Sequence, residues 1–414
     1  MTHDTMDAKT SSPQQRRATA LLMHLTEPGR PTLKAACLQL GAEDTLELIT
    51  GGRDTAIDAL QAIVAEQGME PDGVRLRNEW ETWNARLPLV NLDNDAALLR
   101  TGRARLVIPG DAEWPHALDD LGLFAPLGLW VRGGLPLNRA LVDPIAIVGT
   151  RAATEYGLAL TRTVVMDLVG HGHTVVSGGA LGIDAVAHAA ALDAAAARAA
   201  TEPEADVSST VAVMACGIDQ WYPKQNSALL DEVAARSAVV TELPPGATAM
   251  RHRFLDRNRI IAALSLGTIV MEAGWRSGSF STANKASGLM RPVGAFPGSV
   301  FNGESAGCHK IIREGQAVLV STAAEVRELV GGIGELADTE GPAQPVLTRP
   351  TDGMSPEQLR LYSALPLRGG ADPTVLAVKA GITHRQAMAA LAELELTGHA
   401  EHSAAGWVKV RGTG

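Results

Sequence analysis

Four short apolar runs constrain the fold of this chain more than any other feature of its sequence. Each run is followed by a turn of small residues, and segments of helical length separate the runs. Such runs are typical of strands in a parallel sheet, because helices cover both faces of the sheet and no polar position is needed. The runs are residues 145–148 before Gly149-Thr150-Arg151, 175–176 before Ser177-Gly178-Gly179, 211–214 before Ala215-Cys216-Gly217, and 269–271 before Glu272-Ala273-Gly274.

The turns after these runs predict where a ligand binds. In a doubly wound parallel sheet, ligands occupy the crevice beyond the carboxyl ends of the strands. Glycine lets backbone amides approach an anion there, because no side chain stands in the way. Strands and helices alternate from 145 to 320, with further strands expected at 238–241, 292–296 and 317–320. The sequence therefore predicts an α/β fold with a doubly wound, mostly parallel sheet and an anion site at one edge.

The chain length of 414 residues predicts two or three domains. Residues before 90 show helical spacing of apolar positions, and residues 129–133 are expected to form an edge strand that ends in a turn. The predicted organisation is a disordered tail over 1–14, a small helical domain of the SAM or helix-hairpin-helix kind over 15–90, the sheet domain over 91–327, a linker over 328–352 and a winged helix-turn-helix domain over 353–412.

The C-terminal region is predicted to contain three helices and a hairpin, which is the element order of a winged helix. The third helix carries two acids beside one histidine and one arginine. This balance of charge favours contact with a protein over insertion into a DNA groove. The helices are expected to begin at Ser355, to cover 373–380 and to cover 384–397, and the strands are expected around 404–406 and 407–410.

Composition bounds the cellular setting and the chemistry. The three cysteines, Cys37, Cys216 and Cys308, are far apart, and no pair has the spacing of a redox motif or a metal site. No apolar run reaches the ~18 residues that a membrane span requires, and the N-terminal residues are polar. We therefore expect a soluble, cytoplasmic protein that holds no metal and no cofactor and does not contact a membrane.

The distribution of charge matters more than the net charge of −10, which taken alone disfavours nucleic acid. Residues 245–315 hold nine Lys or Arg side chains and four acidic ones, which indicates a basic patch on an acidic protein. Its densest part precedes an apolar helix that is expected to begin near Arg257. We expect Asn258 and one arginine to hold the loop there, and Arg251 and Arg253 to remain available to a ligand.

The turn Ser177-Gly178-Gly179 opens the sharpest motif, because three glycines fall within five residues directly after a strand. This pattern predicts an anion-binding turn at the start of a helix. It is not the dinucleotide fingerprint, since G-x-G-x-x-G is absent. Asp184 and His188 follow one turn apart, and a capping aspartate beside a structural histidine is favoured over an acid–base pair.

Two further strand ends carry candidate contacts. Arg151 follows the first run, and its forked donors suit a phosphate; the alternative is an arginine that holds a loop. Lys224 follows the third run and could reach a phosphate, while Tyr222 could stack on a base. An equally weighted alternative is a loop shaped by Pro223 with a solvated Lys224.

The segment after the fourth run offers hydroxyl and amide donors at the start of a helix. Ser277, Gly278 and Ser279 are expected to bind phosphate, because donors at a helix start suit an anion. Neither serine lies in a G-x-S-x-G pattern, so a nucleophile is disfavoured. Glu272 is expected to be a buried structural acid bonded to loop amides.

Taken in order, these strings resemble the DNA-processing protein A family, also called DprA or Smf. The resemblance covers roughly residues 110–320, and it is specific because many separate motifs agree in order. The matching residues are Trp114-Pro115, Leu129-Trp130-Val131-Arg132-Gly133, Ile147-Val148-Gly149-Thr150-Arg151 with Tyr156-Gly157, Ser177-Gly178-Gly179-Ala180 with Gly182-Ile183-Asp184 and Ala187-His188, Tyr222-Pro223, Phe254, Arg257-Asn258-Arg259-Ile260-Ile261, Glu272-Ala273, Ser277-Gly278-Ser279 with Thr282-Ala283, Pro297-Gly298 and Gly307.

The resemblance implies an extended Rossmann fold that binds single-stranded DNA, forms homodimers and loads the RecA recombinase onto DNA during natural transformation. Carried over by position, the DNA contacts are Arg151, Ser177, Gly178, Gly179, Lys224, Arg251, Arg253, Arg257, Ser277, Gly278 and Ser279. The chain departs from the family at Met250, where a lysine is common, and Arg251 and Arg253 are offered instead. Leu255-Asp256 replaces a commoner Phe-Pro, and the stretch 189–210 is longer than usual.

Two other classes of function stay open from the sequence. A nucleotide or ribose-phosphate hydrolase on a similar sheet would use Glu272 or Asp184 as its acid. A non-catalytic adaptor would use the winged helix to hold its partners. We expect a binding protein without catalysis, because no group of residues in the sequence makes a convincing catalytic constellation.

Overall fold

The described part of the computed structural model forms two compact units and comprises residues 11–201, 209–331, 354–367, 369–403 and 405–410. The described part of the first unit ends at residue 331, and that of the second begins at 354. Most of the predicted linker, residues 202–208 of the stretch 189–210 and the first ten residues of the predicted tail lie outside the described residues. Residues 13 and 14 belong to a helix that Ser12 caps through Gln15 N, so the tail prediction is wrong for them.

Nine strands form one sheet in the described part of the first unit. In chain order they are β1 (Arg105–Val107), β2 (Leu129–Arg132), β3 (Ile145–Val148), β4 (Val175–Ser177), β5 (Thr210–Val213), β6 (Ala238–Thr241), β7 (Gly267–Val270), β8 (Val293–Ala295) and β9 (Val318–Leu319). Their order across the sheet is β1-β2-β6-β5-β4-β3-β7-β8-β9. The β1–β2 and β2–β6 pairs are antiparallel, and the other pairs are parallel.

The strand order reverses beside β3. The chain runs from β3 through β4 and β5 to β6 on one side, and then returns to the other side of β3 to form β7, β8 and β9. A doubly wound sheet opens a crevice at such a reversal, because the connections on its two sides diverge. The predicted α/β fold is confirmed, and the ligand crevice is expected between the ends of β3 and β7.

Helices cover both faces of the sheet. Those of the first unit are α1 (Pro13–Leu25), α2 (Pro31–Leu40), α3 (Ala42–Thr50), α4 (Arg53–Glu66), α5 (Gly73–Arg86), α6 (Asp93–Arg100), α7 (Leu137–Ala140), α8 (Glu155–Gly170), α9 (Ile183–Thr201), α10 (Ser227–Arg236), α11 (Arg251–Leu264), α12 (Ser279–Gly288), α13 (Ala306–Arg313) and α14 (Ala323–Val330). Ala146 and Val148 pack with α11, α12 and α13. Ile145 and Ile147 pack with α8, α9 and α14 on the other face, as the alternation of a strand requires.

Helices α1 to α5 pack around Leu22, Leu33, Leu60 and Trp83, which confirms the helical character predicted before residue 90. This bundle belongs to the same compact unit as the sheet. For example, the buried Lys34 Nζ donates to the Pro126 carbonyl at 3.2 Å.

The prediction that residues 129–133 form an edge strand is wrong about the position of this strand in the sheet. It forms β2, which lies between β6 and β1, and β1 is the edge on that side. Strand β1 has only three residues, which are too few to show the alternation of a strand. The true edge strand therefore could not be predicted from the sequence. Arg16 of α1 covers this edge, because its Nη1 donates to the Leu106 carbonyl while its guanidinium also binds Asp111.

The second unit contains α15 (Pro356–Ala364), α16 (Pro373–Ala380), α17 (His384–Leu396) and the antiparallel hairpin β10 (Ala400–Ser403) and β11 (Gly406–Lys409). Leu361, Leu376, Leu391 and Trp407 form its core. The three helices match the predicted positions, but the first hairpin strand lies earlier than the predicted 404–406. This element order is the one that the winged-helix prediction requires, and the assignment itself stays a prediction.

In the described ranges, no helix is both long and apolar enough to cross a membrane.

Packing of α8 against the sheet should contribute to the stability of the first unit. Leu168 is fully buried, so Leu168→Ala should lower the free energy of unfolding by about 2–5 kcal/mol. Met166 lies in the same helix but is 43% exposed, so Met166→Ala should change it by less than about 0.5 kcal/mol. Urea unfolding followed by circular dichroism measures both, and equal midpoints for the two variants would contradict this packing.

Candidate functional site

The loops after β3, β4 and β7 meet at the reversal of the strand order. Thr150 N, after β3, donates to the Glu272 carbonyl after β7 at 2.7 Å. The Thr150 carbonyl accepts from Ile183 N, at the start of α9, at 3.2 Å. These bonds fix the turns of three strands against one another, so groups from distant parts of the sequence share one edge.

An open groove follows this edge and consists of two adjoining cavities of about 930 and 790 Å³. We call the two cavities together the trough. Residues from the loops after β3, β4, β5, β6 and β7 line it. The residues common to both cavities are Arg151, Ala180, Tyr222, Ala249 and Phe254.

The trough is cationic although the protein as a whole is acidic. Five of its lining side chains are cationic, namely Arg151, Lys224, Arg251, Arg257 and Arg276, and one, Asp184, is acidic. All of the cations except Arg257 are exposed. Within the described residues none of these exposed cations forms a salt bridge, so their charges are available to a ligand.

Aromatic side chains stand beside these charges. The Arg151 guanidinium carbon lies 5.2 Å from the centre of the Phe254 ring. The Phe254 ring centre lies 5.5 Å from that of Tyr222, which is 45% exposed. A cation and two rings in contact can hold a flat, charged ligand, because the ring faces attract both cations and other π systems.

Lys224 reaches the trough because its loop is tied to the glycine turn. The side-chain amide of Asn226 donates to the carbonyls of Gly179 and Ala180 at 2.9 and 3.0 Å. The exposed Lys224 stands two residues earlier, at the start of a short 3-10 helix, and lines the trough. Both sequence interpretations of Lys224 remain compatible with this position.

A buried arginine forms the floor of the trough. Arg257 is 6% exposed, and its Nη1 donates to the Val213 carbonyl at 2.7 Å. Burial lowers the pKa of Arg257 to about 10, opposed by the charge of Asp184 and assisted by that of Arg151. Gly178 is required here, because a methyl group at that position would lie 1.9 Å from Arg257 Nη1. Arg257 therefore supplies positive potential from below and shapes the glycine turn.

The basic run behaves differently from the expectation. Helix α11 begins at Arg251 and not near Arg257, so the run is itself helical. Polar residues can lie inside this helix because they find partners: Arg259 pairs with Glu242 at 2.6 Å in addition to the Arg257 contact. Arg251 and Phe254 are one turn apart in α11 and both line the trough.

Arg253 is not available to a ligand, which corrects the expectation. Its Nε and Nη2 donate to the two carboxylate oxygens of Glu27, each at 3.0 Å, and its Nη1 donates to the Thr248 carbonyl. Glu27 also accepts from Arg86 at 3.2 Å. Although burial opposes it, the hydrogen bond and charge of Arg253 hold the pKa of Glu27 below its usual range. The loop after α1 thus holds the start of α11.

Four of the remaining predicted contacts line the trough and two do not. Gly178, Ser277, Gly278 and Ser279 line it, and the hydroxyl oxygens of the two serines lie 2.8 Å apart. The Ser177 hydroxyl is buried and donates to the Ile147 carbonyl at 2.7 Å, so its side chain does not face a ligand. Gly179 has a φ of +68°, and this left-handed backbone forms the turn.

The candidate acids are structural. Glu272 is 1% exposed and accepts from the Thr154 amide and hydroxyl at 2.8 and 2.7 Å, as expected. Burial raises the pKa of Asp184 against the charge of Arg257, and Asp184 accepts from Ala180 N at 3.3 Å. His188 Nδ1 lies 2.7 Å from Thr210 Oγ1, so the favoured capping and structural interpretation fits and an acid–base pair does not.

Sequence reasoning missed three residues of the site: it did not name Arg276 as a contact, although Arg276 lines the trough, and it missed Phe254 and Glu27. Phe254 was named only among the residues that carry the family resemblance. Its contact with Arg151 was not predicted, because the helix was expected to begin near Arg257 and not at Arg251. A helix that begins at Arg251 would have placed Phe254 one turn from Arg251, beside the trough. Glu27 could not be found, because it lies 226 residues from Arg253 in the sequence.

The model of the family described as DNA recombination-mediator protein A matches residues 105–331. A Mycobacterium tuberculosis protein named as a DprA-type DNA processing protein is 41% identical over 327 residues, which cover 77% of this chain and 80% of that protein. Protein Smf of Escherichia coli is 32% identical over 316 residues, covering 74% and 77% of the two chains. The X-ray structure of DprA from Streptococcus pneumoniae has a TM-score of 0.58 at 27% identity, covering 77% of this chain and 98% of that one.

Stability should fall on mild acidification because of His188. Burial lowers the pKa of His188 to about 3, so the folded state stays neutral while the unfolded state binds a proton below about pH 6.5. Between pH 7.5 and 5.5 this difference should remove about 1.4 kcal/mol from the free energy of unfolding. His188→Asn keeps a polar atom near Thr210. Over the same pH interval, the free energy of unfolding of this variant should fall by about 1.4 kcal/mol less than that of the wild type. Urea unfolding at both pH values tests this, and an equal loss in the two proteins would contradict it.

Proposed function

Because this chain belongs to the DNA recombination-mediator protein A family, which includes DprA and Smf proteins, we propose that its trough binds single-stranded DNA without sequence preference. The observation that carries the proposal is the trough itself, with its five cations, one acid and the contact of Arg151, Phe254 and Tyr222. A strand of DNA needs both features, because it is a polyanion with unpaired, flat bases.

Phosphates would contact the exposed rim of the trough. Arg151, Lys224 and Arg251 make no ion pair within the described residues, so binding costs no existing salt bridge. Arg257 would act from below through its charge, and donors near Ser277 would bind at the start of α12. Arg253 would act indirectly, by fixing the start of α11 against Glu27.

A single strand fits this surface better than a duplex. Phe254 and the half-exposed Tyr222 can stack only on bases whose faces are open, and a duplex hides these faces. Stacking is tolerant of sequence, because every base has a π face. We therefore propose binding by charge and stacking, without readout of base edges.

The finer role follows the family. We propose that the protein is a cytoplasmic homodimer that loads RecA onto the bound strand in DNA uptake and recombination, and that it acts without catalysis. Glu272 and Asp184 already accept hydrogen bonds from the protein itself. This structural role supports the proposal over the hydrolase alternative. The second unit is proposed to be a winged helix that contacts a partner protein.

Arg151→Ala should weaken the binding of a single-stranded oligonucleotide by about tenfold, because a charge-assisted phosphate contact is lost. The slope of log K against log salt should fall by about 0.7, the value for one phosphate of a single strand. Fluorescence anisotropy at a series of salt concentrations measures both quantities, with a duplex of equal length as comparison.

The control is Arg162→Ala, which removes the same charge from α8, where Arg162 pairs with Asp193 at 3.0 Å. It should leave the affinity and the slope unchanged. RecA assembly on the labelled strand should slow with Arg151→Ala and not with the control. An Arg151→Ala protein that matches the wild type in affinity and slope would sink the proposal, as would equal binding of the duplex.

Tyr222→Ala should separate stacking from charge. Loss of one stacked base should cost about 1–3 kcal/mol of binding free energy and leave the salt slope unchanged, because no phosphate contact is removed. Tyr222→Phe keeps the ring and should retain the affinity. The same anisotropy titrations measure these effects, and a changed slope with unchanged affinity at low salt would contradict a stacking role.

A further inference from the structure

An exposed indole borders the trough without a role in the site described above. Trp275 lies in the loop between β7 and α12 and is 56% exposed. The next two residues, Arg276 and Ser277, line the trough. Trp275 therefore lies next in the chain to residues that line the trough, but is not itself a lining residue. Tryptophan offers a wide π face, and an exposed one suits a flat partner.

A lysine faces this indole. Lys310 Nζ, in α13, lies 5.3 Å from the centre of the Trp275 ring. Lys310 forms no salt bridge with any described residue, so its charge is neutralised only in part by the ring. A flat ring with an adjacent cation has the two features that one nucleotide needs.

The position of this pair continues the line of the trough. Helices α11, α12 and α13 pack on the same face of the sheet through Ile261, Ala283 and Ile311. The trough lies at the starts of α11 and α12, and Lys310 belongs to the third helix of this row. A strand that leaves the trough over the start of α12 would meet Trp275 next.

One acid limits the approach of a phosphate. The carboxylate of Glu304 lies against Gly274, where a methyl group would come within 3.2 Å of it. Repulsion from Glu304 disfavours a phosphate on that side. Lys310, which lies against the indole, and Arg276, the next residue along the chain, favour a phosphate there.

We propose that Trp275 and Lys310 form a second contact for single-stranded DNA, beyond the trough. A base stacks on the part of the indole that Lys310 leaves open, and an adjoining phosphate pairs with Lys310 or Arg276. This inference rests on the proposed function and extends the path of the strand from the end of β3 across the end of β7. Only a strand long enough to leave the trough uses the second contact.

The test compares two oligothymidines, one of about 5 nucleotides and one of about 20, a range that spans typical single-strand site sizes. Trp275→Ala should weaken binding of the long strand by at least about fivefold, the loss expected for one stacked base, and leave the short strand unaffected. Lys310→Ala should lower the salt slope by about 0.7 for the long strand alone. Trp275→Phe should restore most of the affinity, which a merely structural role of the indole would not predict.

Met290→Ala is the matched control, because Met290 is a large apolar residue that is 94% exposed and precedes β8 at the opposite edge of the sheet. It should change neither affinity. If Trp275→Ala leaves the ratio of the two affinities at the wild-type value while Arg151→Ala weakens both, the second contact is wrong and the proposed function stands. If the wild-type protein binds neither strand, both are overturned.

Discussion

The reversal of strand order beside β3 is the constraint on which the rest of the structure depends. Parallel strands need crossover helices, so every strand from β3 to β9 delivers its carboxyl end to the same edge. The chain turns back at β3, and the loops after β3 and β7 meet there through the Thr150–Glu272 bond of 2.7 Å. Loops from five strands can then line one groove. The groove lies at this edge because the connections diverge there, and this is the general place for ligands in such sheets.

Buried charges hold this edge in shape, and exposed charges are left for the ligand. Arg257 donates to the Val213 carbonyl beneath Gly178, Glu272 ties the Thr154 amide and hydroxyl, and Arg253 grips Glu27 from the helical bundle. Arg257 and Glu272 are buried and Arg253 is partly buried, so removing a partner would leave a poorly solvated charge without its hydrogen bonds. The exposed Arg151 and Lys224 form no salt bridge within the described residues. A ligand can therefore neutralise them without disturbing the scaffold.

The sequence predicted strands β2 to β9 to within one or two residues, and the membership of the family is confirmed. It succeeded there because a run such as Ile145–Val148 is apolar for a local reason, being buried on both faces. It failed for α11, whose first residues look like a solvated basic loop. A distant partner holds these first residues, since Glu27 pairs with Arg253. It also failed for β1, which is too short to show a period of two.

The sequence by itself determined the class of fold, the edge of the sheet that carries the site and most of the cations near that edge. Apolar runs and glycine turns encode these features over a few neighbouring residues, so they can be seen without coordinates. Only the tertiary structure decided which cations face outward. Arg251 and Arg253 are two residues apart in one helix, yet one lines the trough and the other is held by an acid 226 residues away. Burial and ion pairing depend on groups that the fold brings together, and no local pattern records them.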